Sequence, residues 1–357
     1  MSRKKLYDEV IEKSVLNLGC GRRLNEIYKK DKIKLAFLGA SITCGYHAVA
    51  DGYGKCFPDF LEEYFREKVG VKDVECRNLA VSGTNCLTGM FVATMIVKDY
   101  KPDIVFLEYS INEESDPIGL QKYESLVRLL MKFENPPVIM PVTVFNREGY
   151  SCQEYMLHFS RHYGLPMAGI KDSLYPLITL GRLPMNVYTE DTGHPHVDGH
   201  EFIAKCIIRT LEESMRENAK EKQLPEAITT VQFENFTLVD LEEAAIGMEK
   251  IEFHSDVFST CHKKEKNGQR LFLETSAECS QFLVLFVKGN THEFAVAELI
   301  SDGEKLDGFS GYSLFGWNNP WTELIMVQPE KKLRNIQLRT EKGDENKELY
   351  LFGAAYC

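Results

Sequence analysis

Four short segments carry the residues that nucleophilic acyl chemistry requires. Ser41 sits in Gly39-Ala40-Ser41-Ile42-Thr43-Cys44-Gly45, directly after the apolar run Ile33 to Leu38. A serine hydroxyl is a weak nucleophile until a neighbouring base takes its proton. Such a base stands in Tyr188 to His200, where Asp191 precedes His194 by three residues and Pro195 follows it. A carboxylate at that spacing can hold the imidazole in one tautomer and leave its far nitrogen for the serine proton. Gly83, in Ser82-Gly83-Thr84, offers a backbone N–H bare of any side chain, and Asn112 offers a side-chain amide. Both kinds of donor stabilise an oxyanion. Each segment also has a plainer reading: a capping serine, a glycine turn with positive φ, a turn asparagine, a histidine-rich loop without a role. A metal site from His194, His196 and His200 is a further alternative, although it leaves Ser41 unexplained.

The elements that must position these residues alternate in type. Ile33–Leu38, Val74–Val81, Asp103–Tyr109, Pro137–Val144 and Leu165–Ile170 read as buried strands, the fourth weakened by its internal proline. Between them Phe57–Phe65, Met90–Tyr100, Tyr123–Phe133, Cys152–Tyr163 and finally Gly199–Met215 repeat their apolar residues at helical spacing. Strand and helix in alternation imply a parallel sheet covered by helices on both faces. Ser41, Gly83 and Asn112 each follow a strand, and ligands of open α/β sheets bind at those carboxyl ends.

Past the charged stretch Arg216 to Gln223 the period shortens to about two. Residues 229–236, 248–253, 270–275, 282–287, 294–299, 322–327, 335–338 and 349–352 read as strands, predicting a jelly-roll β-sandwich. The chain is therefore expected to divide into residues 1–220 and 221–357.

Composition excludes several classes. The chain has 357 residues, with 42 Lys and Arg against 53 Asp and Glu, a net charge of −11. This balance disfavours a nucleic-acid partner, which needs a clustered basic face. No apolar run approaches the roughly 18 residues of a membrane span. The basic start Arg3-Lys4-Lys5 is not followed by the apolar core of an export signal. The 10 cysteines are scattered with no C-x-x-C pair, so they are expected as reduced thiols and the protein as cytoplasmic.

Together the four blocks resemble the SGNH (GDSL-type) hydrolase superfamily, over roughly residues 30 to 216. Ser41 follows the first strand, Gly83 the second and Asn112 the third, and Asp191-x-x-His194-Pro195 precedes the last helix. Ala40 stands where Asp or Gly is usual, Glu113 where Asp is usual and His196 where Asn is common. The Glu113 change puts its loop-bracing role in doubt. The resemblance implies a flavodoxin-like three-layer α/β/α domain and ester hydrolysis through an acyl-enzyme. In that reaction Ser41, Asp191 and His194 are catalytic, and Ser41 N–H, Gly83 N–H and Asn112 form the oxyanion hole. No metal or cofactor is implied, and activity should rise through about pH 6–7 as the histidine loses its proton.

The polar and aromatic loop Tyr46 to Tyr53 lacks the apolar lining that a long acyl chain wants. Trp317 and Trp321, the 2 tryptophans, share the segment Tyr312 to Trp321. There an exposed indole could stack on a sugar ring, or either ring could belong to the sandwich core. The two-part layout resembles the carbohydrate O-acetylesterases of gut bacteria that act on manno-oligosaccharides (carbohydrate esterase family 17). That resemblance implies an acetylated oligosaccharide substrate. Tyr46, Tyr109 and Trp317 are its expected contacts, and a β-sandwich appended to a hydrolase is expected to serve as a carbohydrate-binding module. Rivals are a lipid esterase or acyl-thioesterase of the same fold and a non-catalytic glycan-binding protein. A homodimer is also expected.

Overall fold

The computed structural model describes residues 3–49, 54–189, 191–230, 233, 235–266, 268–326 and 332–357. The chain forms two compact units, Met1–Val231 and Gln232–Cys357.

The first unit is built on six strands: β1 Val15–Asn17, β2 Lys32–Gly39, β3 Asp73–Asn78, β4 Ile104–Glu108, β5 Val138–Thr143 and β6 Met167–Gly169. Their order is β1-β6-β5-β4-β2-β3. From β2 to β6 the pairing is parallel and the order flavodoxin-like, as expected. The sheet is nonetheless mixed, because β1 adds an antiparallel edge to β6. Three residues of Val-Leu-Asn carry too little periodicity to announce a strand, and Asn17 is fixed by a tertiary contact, donating to the Leu165 carbonyl at 2.7 Å.

The central strands are apolar because both faces are covered. Every residue of β4 and β5 is buried. Phe37 of β2 stacks on Phe106 of β4 with ring centroids 4.8 Å apart. β5 holds a central place despite Pro141, since β6 pairs only with Val142 and Thr143 beyond it. The helix Val197–Glu217 lays Phe202, Ile203, Cys206, Ile207 and Leu211 into this core at 3.6-residue spacing.

In the second unit the strands are β7 Thr237–Leu238, β8 Met248–Glu252, β9 Thr260–Lys264, β10 Leu271–Thr275, β11 Gln281–Lys288, β12 Val296–Ser301, β13 Glu304–Ser310, β14 Asn319–Met326, β15 Ile336–Thr340 and β16 Tyr350–Tyr356. They form two antiparallel sheets, β10-β15-β12-β13 and β14-β11-β16-β9-β8, with β7 also on β16. Phe282, Val284 and Phe286 of β11 share one core with Ala297 and Leu299 of β12 and Ile336 and Leu338 of β15. The unit is thus the expected β-sandwich. The strand expected over 229–236 falls partly outside the described residues, and Thr229 and Thr230 lie in irregular chain. β9 and β13 escape the sequence pattern because they are polar and half exposed; β13 is an edge strand.

The 10 cysteines are all free thiols. No described helix is long and apolar enough to cross a membrane.

Candidate active site

Parallel register brings three strand ends side by side. Glu108 of β4 pairs with Gly39 of β2. On the other flank the Leu79 N–H donates to the Phe37 carbonyl at 2.9 Å and Val81 N–H to the Gly39 carbonyl at 3.0 Å. Ser41 therefore rises between the turn holding Gly83 and the turn holding Asn112. It begins the one-turn helix Ser41–Cys44, which ends at Gly45 in the left-handed region, φ 82°. Asn78 clamps this turn from β3, its amide donating to the Thr43 carbonyl at 2.7 Å.

The histidine arrives from the far end of the unit's chain. Thr189 is bridged to Pro195, closing the loop that carries Asp191 and His194. The Arg147 N–H holds this loop from beyond β5 by donating to the Thr192 carbonyl at 2.9 Å. His194 Nε2 lies 2.9 Å from Ser41 Oγ, and its Nδ1 lies 2.8 Å from Asp191 Oδ2. The other carboxylate oxygen of Asp191 accepts the Gly193 and His194 N–H groups, both at 2.7 Å, and the Thr189 hydroxyl at 2.9 Å. Burial alone would raise the Asp191 carboxyl; these hydrogen bonds and the imidazole outweigh it and hold it at about 2. An ionised Asp191 keeps the proton on Nδ1, so Nε2 is the free acceptor facing the serine hydroxyl.

Gly83 adopts φ 75°, which only a residue without Cβ takes without strain. Asn112 turns Oδ1 inward, where it is buried without a partner among the described residues, and leaves its amide nitrogen as the donor end. Glu113 does brace this turn. One of its oxygens accepts the Cys86 N–H at 2.8 Å, at the start of the helix after the Gly83 turn; the other pairs with Lys122 at 3.0 Å. Burial raises the Glu113 carboxyl, and Lys122 draws it back down.

The three histidines do not share a centre. His196 caps the final helix, accepting the Gly199 N–H on Nδ1 at 3.3 Å while Nε2 meets the Asn186 carbonyl at 2.7 Å. His200 is fully buried, stacked against Phe57 with both ring nitrogens unpartnered. Burial pushes its imidazole down to about 3, so it stays neutral. Among the described residues no cluster of three or more His, Cys, Asp or Glu could hold a metal.

Of the expected substrate contacts, Tyr46 packs against the His194 ring at 4.5 Å and is 47% exposed. Tyr109 is a correction. It is 1% exposed, its hydroxyl turned toward Gly89 under the helix Cys86–Val92, and it offers no surface to a ligand. Trp317, in the second unit, is 58% exposed beside the still more exposed Leu314 and Phe315. Trp321 lies in β14, half-buried on the sandwich core with the Lys288 ammonium 4.4 Å from its ring centre. Residues 50–53 of the loop after Ser41 lie outside the described residues. Thr189, Asn78 and Thr43 were not anticipated; the only sequence signal is a polar residue beside a strand end or a catalytic-type dyad.

No protein-family model matches this chain, and no curated sequence matches it. Among solved structures it is similar to a two-domain esterase active on acetylated mannans, at 23% identity and a TM-score of 0.83, over 97% of this chain and 98% of that one. A structure of such an esterase co-crystallized with mannopentaose matches at 23% identity and a TM-score of 0.80, covering 97% of each chain. Over both of its units, this chain has the fold of that two-domain esterase.

Proposed function

We propose that this protein is a serine esterase that removes O-acetyl groups from oligosaccharides, with acetylated manno-oligosaccharides as the favoured substrate. The observation that carries the reading is the unbroken chain from Ser41 Oγ through His194 to Asp191, at 2.9 and 2.8 Å. In the first step Ser41 Oγ attacks the acetyl carbon while His194 Nε2 takes its proton. The oxyanion is met by the N–H groups of Ser41 and Gly83 and by the Asn112 amide. Collapse breaks the bond to the sugar oxygen, which takes the proton from His194. Water, deprotonated by the same imidazole, then attacks the acetyl-enzyme; as the bond to Ser41 Oγ breaks, the imidazolium returns the proton to it, and acetate is released. The ion pair with Asp191 favours the imidazolium that forms in each step.

The mannan substrate is supported by the fold shared with an esterase active on acetylated mannans. Exposed Trp317 suits a sugar-stacking platform on a carbohydrate-binding second unit.

The test is acetate release from acetylated mannan, xylan and chitin oligosaccharides by wild type and Ser41→Ala. Wild type should act best on the mannan series and Ser41→Ala should lose nearly all activity; equal rates refute the nucleophile. Trp317→Ala should raise KM for the oligosaccharide and leave hydrolysis of 4-nitrophenyl acetate unchanged. A preference for octanoyl over acetyl nitrophenyl esters would instead assign a lipid esterase.

A further inference from the structure

We propose that Glu108 is a positioning residue for the Ser41 nucleophile, one buried carboxyl tying the helix that carries Ser41 to the turn that carries Asn112. This rests on the esterase reading above. Glu108 ends β4, is wholly buried, and has no cation paired with it among the described residues. One oxygen accepts both the N–H and the hydroxyl of Ser110, each at 3.1 Å. The other accepts the hydroxyl of Thr43, two residues beyond Ser41, at 3.4 Å. Ser110 in turn accepts the Val144 N–H on its hydroxyl at 2.9 Å and the Cys152 N–H on its carbonyl at 2.7 Å. The network therefore joins the loops that follow β2, β4 and β5.

Gly39 makes the room. A Cβ there would stand 2.1 Å from the Thr43 hydroxyl oxygen and 2.7 Å from the Glu108 carbonyl oxygen. Gly39 and Thr43, flanking Ser41 in Gly-x-Ser-x-Thr, thus both answer to Glu108.

Packing does not explain a carboxyl at this place. Ile104 and Phe106, which share its face of β4, fill an apolar core, and a lone buried acid without a cation is costly. Ionised, Glu108 is an acceptor only and can take all three hydrogens; protonated, its own O–H must displace one of them. Burial pushes it up to about 7, opposed by the Ser110 and Thr43 hydrogen bonds, so the two forms exchange near neutral pH. The titratable groups facing it are the phenols of Tyr109, its neighbour in the chain, and Tyr188, from before the Asp191–His194 loop. Both are raised by burial and stay protonated. Ionisation of Glu108 rises with pH through about 7, so the form that accepts all three hydrogens is lost as pH falls through that value. Glu108 should therefore contribute to the acid limb of the activity profile.

The test measures kcat and KM on 4-nitrophenyl acetate from pH 5 to 9, with thermal melts, for wild type, Glu108→Gln, Thr43→Val and Ser41→Ala. Glu108→Gln should keep KM, lose kcat by roughly 10- to 100-fold, and make the acid limb shallower than in wild type. Thr43→Val removes a donor to the carboxylate and should move the limb to higher pH. Wild-type kcat and pH profile in Glu108→Gln, or an unmoved limb in Thr43→Val, overturns the proposal. Should Glu108→Gln fail to fold, Thr43→Val, which exchanges one hydroxyl for a methyl, decides alone. Inactive Ser41→Ala beside an unaltered Glu108→Gln overturns this inference only; a fully active Ser41→Ala overturns the esterase reading and this inference with it.

Discussion

Replacing Asp191 by Asn separates the geometry of the Asp191–His194 loop from its electrostatics. In the native loop Oδ1 accepts two backbone N–H groups at 2.7 Å and the Thr189 hydroxyl at 2.9 Å, while Oδ2 alone faces His194 Nδ1. An asparagine must keep its carbonyl oxygen at the Oδ1 position, because its NH2 group there would oppose two N–H donors. The NH2 group is thereby placed against Nδ1, which must give up its hydrogen and accept. The proton moves to Nε2, which then donates to Ser41 Oγ and cannot take its proton. A triad with the histidine in the wrong tautomer loses about 10⁴-fold in kcat, or about 5 kcal/mol of barrier. The loop itself should survive, since its three internal acceptor bonds remain. What is lost is the carboxylate's stabilising charge. Its value of about 2 lies below the ordinary 3.8, so the stability gap between wild type and Asp191→Asn should be full above pH 4 and close as pH falls toward 2. The assay is kcat/KM on 4-nitrophenyl acetate at pH 7, with circular dichroism to show an intact fold. An Asp191→Asn protein retaining a tenth of wild-type activity would refute the tautomer argument.

Three other perturbations probe separate parts of the site. Asn112→Ala should lower kcat by roughly 10²–10³ with little change in KM, since the proposed mechanism sets the amide against the oxyanion; a loss confined to KM would assign it to ground-state binding. Gly83→Ala forces a Cβ onto a backbone at φ 75° and should lower the melting temperature by about 2–4 °C, with a fall in kcat as the N–H tilts; an unchanged melting curve would contradict the strain. His200→Leu should flatten the acid limb of stability: the unfolded chain takes this proton near 6.5, the folded one only at about 3, so the native protein loses roughly 3 kcal/mol between pH 7 and pH 4 that the variant keeps. Equal urea midpoints for the two proteins at pH 4 relative to pH 8 would show that His200 is hydrated in the native state.

The β2 and β4 strands and the last helix could be read directly from the sequence because their burial is a one-dimensional pattern. Runs such as Leu35–Leu38 and Ile104–Leu107 are apolar throughout, as strands covered on both faces must be. Candidate chemistry was legible for a similar reason, since Ser41, Gly83 and Asn112 each follow a strand and Asp191-x-x-His194 stands before a helix. Local sequence could not reveal β1, whose three residues are fixed by Ala168 and Met167 across the sheet, nor β13, whose exposed edge carries no apolar alternation. Tyr109 is an expected substrate contact, but the turn after β4 tucks it beneath Gly89. His194 and Ser41 are 153 residues apart, and only the parallel register of the sheet and the anchoring of Thr192 by Arg147 bring them to 2.9 Å. The same holds for Glu108, an ordinary acidic residue until the pairing of β2 with β4 sets it beneath Gly39 and under the Thr43 hydroxyl. Side-chain type and periodicity are properties of the chain and can be read along it. Distance, desolvation and the satisfaction of buried polar groups belong to residues remote in sequence, and only the folded structure determines them.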